Sequence, residues 1–446
     1  MNNNLTNQDI EKFNEKISHD SLTKITRKTV TKNGINNSCI DEELMRSLKN
    51  AFSVDVEAGN VCNQKHSGRC WMFAGLNVLR TILIKKFNVK NFELSQAYLQ
   101  FYDKLEKSNF FLTKAIELAD EPVDSKLNVF MLDTGIGDGG HFVMFTNLVK
   151  KYGVVPIEEM PDLAVSIDTT ELNNVLSHYL AQGMFEIRTS KKKGASLEEL
   201  NGIKEKYLAD IYKILVVSIG VVPTSFTYEY LDKDNKKQTL ETTTPVEFYN
   251  KYIAQDLDDY ICLCDAPIFN MEEYVKYTCK YVNNVIGGDP VVFFNVPLSI
   301  LKEVSIKSLQ EGEVIWFAAD VLAQSLRKEG YLVDGIINTN DLFDIDYKLT
   351  KGERLTYRTS FCNHAMTFTG VNLDGENKPN RWKVENSWGK DNGKDGFYLM
   401  SDKWFDEYVY EVFINKKYVP EEILEKYNKA KLVEQEPGNT LYKFFD

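Results

Sequence analysis

The chain has 446 residues, a length that by itself favours about three domains of ~150 residues. Its 43% hydrophobic content supplies a large core and excludes disorder as the default state. The balance of 53 basic against 65 acidic residues leaves a net charge of −12, which weighs against nucleic-acid or anionic-membrane partners.

The amino end, through residue 50, is polar and rich in Asn and Lys. It reads as an arm with one helix over Asn7–Ser18, and it lacks the apolar core of a secretion signal. No stretch approaches the roughly 18 apolar residues of a membrane span. A cytoplasmic chain is expected. The next segment is Gln64-Lys65-His66-Ser67-Gly68-Arg69-Cys70-Trp71, followed by an apolar run to Ile84 with no Pro and only Gly75 inside. The run predicts a buried helix from Cys70 to about Phe87. A thiol at a helix amino end meets unpaired N–H groups and a dipole that lower its pKa. Gln64, one loop upstream, is placed to lend a side-chain N–H to an oxyanion. The competing reading of Cys70 is a buried structural thiol.

Ser95 caps a second helix, a third runs from Gly140 to near Gly153, and Ser196 with Glu199 forms a capping box ahead of Leu200–Leu215. Between them Gly135-Ile136-Gly137-Asp138-Gly139-Gly140 matches the dinucleotide pattern G-x-G-x-x-G. That fingerprint also requires a βαβ unit and an acid about 20 residues on. Pro156 and Pro161 bracket the available acids, Glu158 and Glu159, and no strand is evident, so nucleotide binding is not favoured. Beyond Pro223, Phe226–Leu231 and Gln238–Thr242 read as a hairpin on a polar turn. Short strands then dominate: Val291–Val296, Val314–Ala319, Ala365–Val371, Trp382–Asn386 and Gly396–Met400. Helices first and strands later indicate an α+β fold.

The seven cysteines (39, 62, 70, 262, 264, 279 and 362) are odd in number and sparse, so a disulfide framework is not expected. Cys262-Leu263-Cys264 lacks neighbouring histidines and is not read as a metal site. Among the five histidines, His66 shares a tight loop with Cys70, and His19 and His178 lie in polar helical contexts. His364 stands at the mouth of a strand, as a rigidly held base requires. At the end of the next strand comes Asn386-Ser387-Trp388-Gly389. Asn386 can hold the imidazole of His364 and fix its tautomer, with Trp388 covering the contact.

The set Gln64, Cys70, His364 and Asn386 resembles the papain-like cysteine peptidases. The block through Cys70, Asn363–Thr367, Val384–Gly389, Met400–Phe405 and Glu313–Phe317 narrow the resemblance to the bleomycin hydrolase / aminopeptidase C family, over about residues 54–433. The resemblance implies a papain-like two-lobed fold: a helical lobe with the nucleophile (51–110), a mainly helical insertion with the cleft Gly-Gly segment (111–290), a β-barrel-like lobe with His and Asn (291–415), an amino-terminal arm (1–50) and a carboxyl-terminal arm entering the cleft (416–446). It also implies a homohexamer acting on peptides without cofactor or metal. Cys70 would be the nucleophile, His364 the base, Asn386 its orienter and Gln64 the oxyanion donor. Gly139 and Gly140 would line the cleft and bond the substrate backbone. His141 follows where the family often carries Gln. The terminal Asp446 would meet the free amine of the substrate and restrict the enzyme to aminopeptidase action, although Leu441-Tyr442-Lys443-Phe444-Phe445-Asp446 departs from the small tail usual in the family. The alternatives are an endopeptidase with an open cleft, or a non-catalytic or nucleic-acid-binding assembly protein that keeps the fold.

Overall fold

In the computed structural model, which describes residues 4–445, the apolar run after Cys70 forms the central helix. The polar arm folds as three helices, not one: α1 (Asn7–Ser18), α2 (Ser21–Asn33) and α3 (Glu42–Ser47). None of them buries a residue. They are held by side-chain caps such as Thr6 with Asp9, a signal weaker than a hydrophobic stripe. After the two-residue strand β1 (Val54–Asp55) comes α4 (Cys70–Lys86), buried on nearly every side from Trp71 to Ile84. Helices apolar all round belong inside a large core.

Ser95 caps α5 (Gln96–Glu117). Helices α6 (Lys126–Thr134) and α7 (Phe142–Tyr152) flank the glycine run, and α7 stops at Gly153, whose φ of 73° suits a residue without Cβ. The short α8 (Ala164–Ile167) precedes α9 (Thr170–Lys192) and α10 (Leu197–Ile219), which pack with α5 into a helical layer. The expected hairpin is β2 (Phe226–Leu231) with β3 (Lys237–Thr243).

The remaining strands are β4 (Tyr260–Cys264), β5 (Lys276–Cys279), β6 (Phe293–Asn295), β7 (Ile315–Ala319), β8 (Ser325–Leu326), β9 (Tyr331–Leu332), β10 (His364–Leu373), β11 (Pro379–Glu385), β12 (Phe397–Ser401), β13 (Val409–Asn415) and β14 (Leu432–Gln435). They join one sheet in the order β14-β5-β6-β4-β13-β7-β10-β11-β12-β9-β8, with β1 added beside β10. The barrel-like lobe expected from the sequence is therefore an open sheet: β14 and β8 end it without pairing to each other. Its path is lengthened at one end by β4, β5 and β14, strands that lie outside the 291–415 segment. Helix α4 packs on β10, which brings the start of the helix beside the start of that strand. Among the described residues no helix is long and apolar enough to cross a membrane.

Candidate active site

Cys70 is the first residue of α4. The loop before it is held by a buried arginine. Arg69 donates to both carboxylate oxygens of Asp162 at 2.9 Å, to Ser166 O at 2.6 Å and to Ser67 Oγ at 2.9 Å. Gly68 N donates to Asp138 at 2.9 Å. Asp138 also receives Lys104 Nζ at 2.7 Å, Asn173 at 3.0 Å and the Thr169 hydroxyl. Although burial opposes ionisation of Asp138, Lys104 and these hydrogen bonds hold its carboxyl far below the usual range. Asp138 thus ties the cysteine loop to the glycine run.

Gly140 packs against Trp71, where an added Cβ would come within 2.5 Å of the indole. The Trp71 indole in turn donates to Asp138 O at 2.7 Å. Lys107 donates to Gly139 O at 2.6 Å and Gly137 O at 2.9 Å. The glycine run follows helix α6 and no strand, so the dinucleotide pattern has no βαβ setting here. Both Gly139 and Gly140 line a cleft of about 990 Å³ together with Gln64, Cys70 and His364.

The opposite wall comes from the sheet. Thr367 of β10 pairs with Glu385 of β11, so His364 at one strand's start stands beside Asn386 just past the other's end. His364 Nε2 lies 2.8 Å from Asn386 Oδ1. An amide oxygen only accepts, so Nε2 carries the hydrogen and Nδ1 is the basic nitrogen. Trp388 lies over the imidazole, ring centres 4.7 Å apart, and is not among the residues that line the cleft. Gln64 joins the two walls: its N–H donates to Ser387 O at 2.8 Å, Ser387 Oγ donates to its Oε1 at 2.5 Å, and its Nε2 donates to Ser67 O at 2.6 Å. One Nε2 hydrogen is engaged in that last bond and the second is available to a ligand. His66 is exposed, bound to the chain at Ile167 through its backbone N–H. Asp446 lies outside the described residues.

Burial pushes His364 down to about 4; the Asn386 contact pulls it back and Arg327 adds to the depression. Burial likewise raises the Cys70 thiol, against hydrogen bonds from the backbone of Ala365, Trp71 and Cys70 itself. Both shifts favour neutral partners.

Sequence reasoning did not find Arg69, Lys107, Asp138 or Glu411, all close to the cleft. Arg69 and Asp138 carried a local signal, since the first directly precedes Cys70 and the second directly precedes Gly139-Gly140. Cys262 does meet a histidine in space: His141 Nε2, Cys262 Sγ and a Glu411 oxygen lie within 4.8 Å of one another. Burial and the Glu411 charge raise the Cys262 thiol well above its usual range.

A thiol at a buried helix start, facing a strand-borne His–Asn contact across a glycine-lined cleft, is the arrangement of papain-like cysteine peptidases. The chain belongs to the Peptidase C1-like family, whose sequence model matches residues 4–439. It is 38% identical over 431 residues to aminopeptidase C of Lactobacillus delbrueckii subsp. lactis, covering 97% of this chain and 96% of that one. It is 39% identical to aminopeptidase E of Lactobacillus helveticus, covering 94% and 95%. The solved structure of PepW from Lactobacillus rhamnosis HN001 superimposes with a TM-score of 0.95 at 38% identity, covering 99% of each chain.

Glutamine 64 provides a direct measure of oxyanion support. Gln64→Ala is expected to lower kcat by on the order of 10²–10³ with KM changed little, as for loss of one oxyanion donor. Steady-state kinetics on a fluorogenic aminoacyl substrate will show this; an equal rise in KM with kcat intact would assign Gln64 to ground-state binding.

Proposed function

We propose that this cysteine peptidase is an aminopeptidase that releases amino-terminal residues from peptides by acyl transfer through Cys70. The observation that carries the reading is the 2.8 Å contact of His364 Nε2 with Asn386 Oδ1, which leaves Nδ1 as the base on the strand whose next residue, Ala365, offers its amide to the Cys70 sulfur. The thiol proton passes to His364 as sulfur bonds to the scissile carbonyl carbon. The Cys70 N–H and Gln64 Nε2 hold the oxyanion. His364 then gives its proton to the leaving amine as the C–N bond breaks, and water hydrolyses the thioester. The names of the curated relatives support action at the amino end.

In this reading the carboxyl-terminal arm limits the cleft. Strand β14 pairs with β5, and the chain then turns so that Tyr442 packs edge-on against Phe130 at 4.9 Å, with its hydroxyl 2.9 Å from the carbonyl oxygens of Lys280 and Gln435. Phe130 is a cleft-lining residue, so the arm reaches the rim. Deletion of residues 439–446 is expected to add cleavage of amino-blocked peptides to cleavage of free ones. Mass spectrometry of products from one peptide, acetylated and unacetylated, gives the test; identical products from both proteins would remove the arm from the account. An endopeptidase is the alternative, because the cleft of about 990 Å³ exceeds a single aminoacyl group. Internal cleavage of the blocked peptide by the wild type would favour it.

The proposal places the enzyme in the cytoplasm, where seven free cysteines are stable, and in a homohexamer. Exposed Phe185, Val217 and Val221 of the helical insertion and its junction are candidates for subunit contacts. The net charge of −12 argues against nucleic acid as a partner.

A further inference from the structure

Three metal-ligating side chains from three different elements meet behind the wall of the cleft. The β4–β13 register sets Cys262 opposite Phe413 and Cys264 opposite Glu411, so Cys262 and Glu411 are diagonal neighbours. His141 arrives from outside the sheet, as the extended residue that precedes α7. A single Glu411 oxygen meets both partners, His141 Nε2 at 2.8 Å and Cys262 Sγ at 3.3 Å. A tetrahedral zinc ion with bonds of about 2.0–2.3 Å sets its ligands roughly 3.3–3.8 Å apart. Both contacts lie within about 0.5 Å of that range.

The donors are held in place and their charges suit a divalent ion. All three residues are buried. The His141 ring is wedged among Phe293, Trp316 and Phe413, with ring centres 5.0, 5.7 and 4.9 Å away. Cys262 and Glu411 are carried by paired strands, and ligands on rigid elements are placed more accurately than ligands on loops. A thiolate, a carboxylate and an imidazole that ligates in its neutral form sum to −2. That sum complements a divalent cation where an uncompensated charge is costly. Sulfur, nitrogen and oxygen together select zinc or a similarly thiophilic ion over magnesium and calcium, which take oxygen ligands. Other buried thiols lack such company: Cys62 faces the Arg80 guanidinium at 3.2 Å, and Cys264 meets the Asn295 amide at 3.8 Å. The way in is the cleft, which Glu411 lines, and water from it completes the fourth position.

We propose that His141, Cys262 and Glu411 form a binding site for a thiophilic divalent cation of the zinc class, separate from Cys70 and His364. The metal bonds to Cys262 Sγ as the S–H bond breaks, and the proton leaves to solvent. Acyl transfer has no use for this ion, so the site stands whether or not the chain cleaves peptides. The stretch Cys262-Leu263-Cys264 shows no histidine nearby because the ligands are assembled by the fold. Glu411 lies 149 positions from Cys262 and 270 from His141.

The test uses full-length Cys70→Ala, which removes the nucleophile as a competing ligand, with cobalt(II) as the spectroscopic probe and a reductant that does not chelate. Cobalt is expected to bind with a thiolate-to-metal charge-transfer band in the near ultraviolet, and added zinc to abolish the band. Adding Cys262→Ala is expected to remove it. Adding His141→Gln is expected to weaken zinc at least about 100-fold in competition with a chromophoric chelator, since even outer partners of a metal site cost 10–100-fold. Zinc should raise the thermal midpoint of Cys70→Ala and leave both double variants unmoved. The midpoint without metal shows that each variant has folded, and Cys262→Ser replaces Cys262→Ala if the latter has not. Absence of the band in Cys70→Ala overturns the site. So does a band that survives loss of Cys262, which marks adventitious binding at another thiol, or a zinc affinity unchanged by His141→Gln.

Discussion

Cys70→Ala is expected to abolish peptide hydrolysis, with kcat falling on the order of 10⁴–10⁶, while the fold survives. The two halves of that expectation have different causes. Loss of activity follows because no other thiol can substitute: Cys362, the neighbouring cleft thiol, is raised well above its usual range by burial and by Glu411, so it stays protonated. Survival follows because residue 70 opens α4, where alanine is an excellent helix former, and because the backbone N–H that supports the oxyanion remains. Turnover of an aminoacyl-coumarin together with the thermal midpoint reads both. In the same experiment, labelling of residue 70 by iodoacetamide should disappear from the variant. Turnover above about a hundredth of wild type would point to another nucleophile.

The largest stability effect is expected at Arg80. Its guanidinium, on α4, pairs with Glu385 at the end of β11, and it also donates to Asn60 O at 2.7 Å and Cys62 Sγ at 3.2 Å. Both partners are about 1% exposed. Burial pushes Glu385 up to about 7 even with Arg80 drawing it down, so Arg80 offsets much of the cost of that carboxylate. Arg80→Met leaves the carboxylate buried and alone, and should cost about 3–5 kcal/mol in denaturant unfolding. Arg80→Met with Glu385→Leu should recover most of it, since an apolar pair of similar volume is often neutral. Glu385 immediately precedes Asn386, so the single variant should also lose kcat. A single variant within about 1 kcal/mol of wild type would show that the pair is dispensable.

Much of the helical half was legible because its signals are local. Ser95, Ser196 with Glu199, Gly153 and the apolar run from Trp71 fall where the caps and the central helix are found. The arm helices α2 and α3 bury nothing and carry no apolar stripe, whereas α9 does carry one at Leu172, Leu176, Leu180, Met184 and Ile187, a signal the sequence reading passed over. Strands β4 and β13 are buried throughout most of their length, and such runs have no alternation to mark them. Chain closure was misjudged for a different reason: whether a sheet shuts depends on which end strands meet, and that is a property of the whole path. In the site, Cys70, His364 and Asn386 announced themselves by residue type and strand position. Glu411 did not, because its partner His141 is 270 residues away and nothing in either segment refers to the other.

The bonds between Gln64 and Ser387 have a consequence for biosynthesis. These residues are 323 positions apart, and they bring together the loop that carries the cysteine and the turn that carries the asparagine. A ribosome therefore releases the thiol long before the imidazole and its orienting amide exist. The growing polypeptide is inert toward its neighbours until β10 and β11 have been made and docked on α4. Late assembly of distant segments keeps the thiol without its base during synthesis.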